Sequence, residues 1–161
     1  MSAIAQEDFT NNLFVLLKET FESPRPQMAS CYLDQGAGLF ETLDNMTAEV
    51  ASRSVTPGAP TIAAHCAHVR FYIIALERFI HGNLDQVDWK QSWLVQTVNP
   101  SEWDNLKEEL RRAYTTITET LLSIESWGDE PVGGAMAILV HTAYHLGAIR
   151  QLTRTFAAAD S

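Results

Sequence analysis

Five histidines are the residues best able to do chemistry in this chain of 161 residues, and four of them fall in pairs at helical contact spacing. His65 and His68 stand three apart, His141 and His145 stand four apart, and His81 is alone. On an α-helix, residues at i and i+4 share a face with Cβ atoms about 6 Å apart, so two imidazoles there can aim their lone pairs at one point. That is how a divalent cation such as zinc is held by histidine, and three inward imidazoles from two helices would suit one. The competing account is packing, because a single buried histidine is usually a core residue with a satisfied hydrogen bond. Two pairs in one chain favour the metal.

At about 100° per residue, His141 and His145 fall beside Ile138, Ile149 and Leu152, which directs them into a core rather than toward water. His65 lies in its helix's stripe near Tyr72 and Leu76, and His68 lies about 60° round toward Ala75 and Phe79. Either can face the last helix, and the wheel slightly prefers His65. Other chemistries lack their residues. Thr142 stands where the glutamate of H-E-x-x-H would be, and no Glu-x-x-His repeat supports a carboxylate-bridged di-iron bundle. Gly36-Ala37-Gly38 is followed by Glu41 in place of a third glycine, and neither a phosphate-binding Gly-Lys-Ser/Thr nor a G-x-S-x-G elbow occurs. Cys66 adjoins His65 but points about 100° away, as a small buried hydrophobe would. His81 before Gly82 reads as a helix C-terminal residue. Tyr144 and Arg150 could contact a substrate but read first as residues that pack and solvate the helix, and the four tryptophans read as anchors.

Those histidines need long helices to hold them, and the apolar periodicity supplies four. Ile4, Phe9, Leu13, Leu16, Leu17 and Phe21 mark a helix over residues 3–21, stopped by Ser23-Pro24-Arg25-Pro26. Leu39, Phe40, Leu43, Met46 and Val50 mark a shorter one, followed by a turn-rich loop over residues 54–60. Thr61 reads as the N-cap of the helix bearing His65 and His68, which His81-Gly82-Asn83 closes. Residues 84–98 hold Trp89 and Trp93 with weak periodicity, an irregular connection with one helical turn at most. Asn99-Pro100 opens a third long helix carrying Trp103, Leu106, Leu110, Ala113, Tyr114, Ile117, Leu121 and Leu122. The last helix is expected over residues 132–156. No strand-like alternation appears, so the expected fold is an all-α four-helix bundle with short extra helices, in a single domain over residues 1–161.

Composition narrows the function classes. The 11 basic residues against 20 acidic ones give a formal charge of -9, which leaves no cationic surplus for phosphate, so nucleic acid and anionic membrane are not expected partners. Cys31 and Cys66 form no C-x-x-C pair, and no basic, apolar leader opens the sequence, which together suit a reducing cytoplasm. The uncharged run over residues 132–149 is interrupted by both histidines and three glycines, and suits a buried helix better than a bilayer span.

The order and wording of three segments resemble a known family. TIAAHCAHVRFYIIALERF after a proline-rich loop, SEWDNLKEELRRAY in the third long helix and HTAYHLGAIRQL in the last are similar to the DinB-like (YfiT-like) superfamily of metalloenzymes. The resemblance runs from the first helix to about Leu152, and the paired histidines before Gly147 are its most specific part. It implies an up-and-down four-helix bundle, a homodimer, and nickel or zinc held by one histidine of the second long helix and two of the last. By position those are His68, seventh after Thr61, with His141 and His145; His65 is the alternative helix-two ligand. Many relatives carry glutamine after the glycine, whereas Ala148 follows Gly147 here. The resemblance further implies a small-molecule substrate and a thiol-dependent S-transferase or isomerase using a low-molecular-weight thiol such as mycothiol, bacillithiol or glutathione. A metal-dependent hydrolase and a non-catalytic or metal-binding stress-response bundle are the alternatives.

Overall fold

Each long apolar stripe becomes a helix, and the helix ends follow from local hydrogen-bond chemistry. The structure, a computed structural model, describes residues 4–24 and 30–160. Helix α1 spans Gln6–Glu22, α2 Leu39–Asp44, α3 Ala48–Ala51, α4 Ile62–Ile80, α5 Pro100–Leu122 and α6 Asp129–Ala159, with a 3₁₀ turn at Trp89–Trp93 between α4 and α5. Among the described residues there is no strand, and the protein is all-helical.

Helix α4 packs against both α5 and α6, and α1 packs against α6 and α2. Their inward faces meet in one cluster that includes Leu17 and Phe21 of α1, Ile62, Val69 and Ile73 of α4, Leu110 and Ile117 of α5, and Ile138 and Ile149 of α6. Burying each such side chain contributes about 1.5–3 kcal/mol, so the four stripes, rather than helix propensity, hold the assembly together. The Trp103 indole N–H, buried in the same cluster, donates to the Met46 carbonyl at 2.8 Å and ties α5 to the α2–α3 connection.

Caps set where α4 and α5 begin. Thr61 Oγ1 accepts the Ala64 N–H at 3.1 Å and donates to the Gln96 carbonyl at 2.7 Å, so one hydroxyl starts α4 and anchors the segment after the 3₁₀ turn. Asn99 and Glu102 form a reciprocal capping box at the start of α5. Ser52 pairs with both backbone groups of Val98 and pins the same segment from its other end.

Several boundaries differ from the periodicity. Helix α1 starts at Gln6, leaving Ile4 before it and 80% exposed; Ala3 and Arg25-Pro26 of the expected bounds lie outside the described residues. The single short helix expected after residue 38 is two, because Thr47 caps a new start at α3. Helix α6 begins at Asp129, not residue 132, since the first four N–H groups of any helix lack partners and Pro131 sacrifices no hydrogen bond there. Leu122, expected on the α5 stripe, ends that helix exposed. By length and composition α6 could also cross a membrane, with a mean hydropathy of 1.4 over its most apolar stretch. Here its Ala135, Ile138, Thr142, Leu146 and Ile149 are buried within the fold.

Ser23 and Glu19 hold the chain that follows α1 through polar contacts. Ser23 has φ +71° and accepts the Gly38 N–H on Oγ at 2.7 Å. A Cβ on Gly38 would lie 2.3 Å from the Ser23 nitrogen, so this approach requires glycine. The buried Glu19 carboxylate accepts the N–H groups of Cys31, Tyr32 and Leu33. Burial works to raise its pKa, but those three donors outweigh it and hold the carboxyl below its ordinary value.

Candidate metal centre

The cap at Thr61 fixes the phase of α4, and α6 lies against it with the face bearing Ile138, Thr142 and Ile149 inward. Where these two faces meet, four imidazoles crowd together. His68 and His145 are buried, and His65 and His141 are half-buried. One side-chain nitrogen from each of His68, His141 and His145 lies within 4.8 Å of the other two, a group that could hold a metal ion. The ring centroids of these three are 4.9 Å (His68–His141), 4.8 Å (His68–His145) and 4.4 Å (His141–His145) apart. Ligand nitrogens around a tetrahedral zinc sit about 3.4 Å apart, so small ring rotations would close the group on an ion.

His65, the alternative helix-two ligand, stands beside this group and not in it. Its Nδ1 pairs with His145 Nδ1 at 2.8 Å, and its ring lies 5.1 Å from that of His145. The idealised wheel favoured His65, but the packed α4 presents His68 to both histidines of α6.

Two properties of the group suit a cation. The first is an orphaned ring nitrogen: His141 Nε2 is buried and has no hydrogen-bond partner. Buried polar atoms nearly always have one, and a coordinated ion would satisfy this nitrogen. The second is charge state. Desolvation, followed by repulsion from neighbouring imidazoles, pushes His141 down to about 4 and His145 down to about 3. His65 and His68 are also lowered, chiefly by desolvation. All four are therefore neutral near pH 7, as metal binding requires.

Aromatic side chains hold the imidazoles in place. Trp93 stacks on His68 with centroids 4.0 Å apart and planes 18° apart. Tyr72 stacks on His141 at 3.7 Å and 13°. Tyr144, exposed on α6, presents an edge to His145. Ser92 Oγ lies 2.7 Å from His68 Nδ1. Among the described residues, no hydrogen bond or ring contact of the four imidazoles involves a carboxylate.

Ser92 and the stacking of Trp93 were not legible from spacing, because a five-residue 3₁₀ turn has no apolar period to read. The only trace in the sequence is the pair of tryptophans, Trp89 and Trp93, in an otherwise polar stretch. Other residues keep their structural roles: Cys66 is buried with its thiol pushed up by burial, and His81 is the C-cap of α4. Comparison of the chain with family models, with curated proteins and with solved structures finds no match.

Proposed function

We propose that the protein is a divalent-metal-dependent enzyme of the DinB-like type, a four-helix bundle whose ion, nickel or zinc, is bound by His68, His141 and His145. The single observation that supports this most is the buried, unpartnered Nε2 of His141 beside two further neutral imidazoles. Three neutral ligands leave the charge of a bound dication uncompensated, and such a centre lowers the pKa of a thiol or water brought to an open position. A bound thiolate or hydroxide would compensate that charge equally, and the resemblance to the DinB-like family is what favours thiol-dependent transfer or isomerisation. Metalloproteases of the H-E-x-x-H type add a glutamate base, and among the described residues no carboxylate hydrogen-bonds to the four rings. The stacking of Tyr72 and Trp93 on two of the imidazoles favours one other reading, a non-catalytic bundle in which the histidines only pack.

Elemental analysis of protein purified without a histidine tag separates these. The enzyme reading expects close to one equivalent of nickel or zinc and a rise in melting temperature on adding either metal. Less than a tenth of an equivalent with an unchanged melting temperature supports the packing reading. Thiol use is tested on nickel- or cobalt-loaded protein: mycothiol, bacillithiol or glutathione should shift its visible spectrum, and no shift with any of the three contradicts thiol transfer.

A further inference from the structure

We infer that Ser92 is a positioning residue that links the Trp89 backbone carbonyl to His68 and fixes that imidazole with its proton on Nδ1 and its lone pair on Nε2. The role as metal positioner rests on the three-histidine site proposed above; the tautomer does not.

The assignment follows from counting protons. Ser92 Oγ lies 2.6 Å from the Trp89 carbonyl oxygen and 2.7 Å from His68 Nδ1. A carbonyl can only accept, and a hydroxyl has one hydrogen to give. That hydrogen goes to Trp89, so Ser92 meets His68 as an acceptor and His68 Nδ1 must carry the N–H. A neutral imidazole has one N–H, so Nε2 is left with the lone pair that a metal ligand needs. Ser92 is 3% exposed, which keeps water from replacing it.

The surroundings turn this hydrogen bond into a fixed orientation. Trp93 stacks on the His68 ring from the same turn. The Asp88 side chain caps the turn by accepting the Lys90 N–H at 3.1 Å. Beyond the turn, Gln96 is tied to Thr61, the residue that starts α4. The helix that bears His68 and the turn that orients it thus share one anchor. Partners of this kind fix ring orientation and raise ligand basicity at metal sites.

Two measurements on the 161-residue protein test the inference. Long-range proton–nitrogen correlation spectra of the metal-free wild type, at mildly alkaline pH, are expected to show His68 protonated at Nδ1; an Nε2–H tautomer overturns the assignment without any mutation. Zinc affinity by competition with a chelator is expected to fall about 10–100-fold in Ser92→Ala and to return to within about threefold of wild type in Ser92→Thr. A Ser92→Ala protein that binds zinc as tightly as wild type overturns the positioning role and leaves the three-histidine site standing. Wild type that takes up no zinc overturns the metal reading itself, and the positioning role with it.

Discussion

Burying four imidazoles between α4 and α6 keeps them neutral, chiefly by desolvation, and that has a cost readable in stability. In the unfolded chain a histidine takes up its proton near pH 6.5, but in the fold His141 does so only near 4 and His145 only near 3. The unfolded state therefore binds more protons than the native state below pH 6.5, and stability must fall as the pH drops. Metal-free protein is expected to hold a level stability above about pH 6.5 and to lose it steadily toward pH 5, a window above the range in which carboxylates titrate. Urea unfolding at pH 7.5 and pH 5 checks this, and equal midpoints contradict it. Substitution separates the proposed ligand from its neighbour. His68→Ala, His141→Ala and His145→Ala should each abolish stoichiometric metal, whereas His65→Ala should retain about one equivalent, with any loss of affinity no larger than the roughly 10–100-fold seen for ligand-orienting partners. Loss of metal in His65→Ala equal to that in His68→Ala contradicts the assignment. At this scale the helix-six pair was legible because i and i+4 on one helix fixes a shared face. The choice between His65 and His68 was not, because the rotation of a packed helix is set by its neighbours. Ser92 was invisible because it reaches His68 by a tertiary hydrogen bond.

Helices and their connections decide whether those side chains meet. The four long stripes and the caps at Thr61 and Asn99 could be read directly, because amphipathic periodicity and side-chain capping are local. The boundaries at α2, α3 and α6 could not, since Thr47 restarts a helix inside an apolar stretch and Pro131 sits harmlessly in a first turn. The connection after α1 depends on still less local chemistry: Glu19 collects three backbone N–H groups, and Gly38 lies against Ser23. Gly38→Ala would place a Cβ 2.3 Å from one backbone atom of Ser23 and 2.9 Å from another, so backbone must move. Overpacking of this kind costs about 1–3 kcal/mol, expected here as a lower denaturation midpoint with an unchanged slope. A midpoint equal to wild type contradicts the close approach.

For the whole molecule, the helical class followed from the absence of alternation and the acidic balance from a count of charges. How α4 and α6 bring their histidines together followed from neither, since it arises only when four stripes share one core. An ion that binds the folded state alone would stabilise that arrangement, by about 2.7 kcal/mol at a free concentration one hundred times its dissociation constant. Anomalous diffraction at the nickel or zinc edge, on crystals of tag-free protein grown with that metal, tests the shared site most directly. The expected result is one peak about 2.0–2.1 Å from a ring nitrogen of each of His68, His141 and His145. A map with no peak among these three side chains, or one whose ion is held by His65 in place of His68, would contradict it.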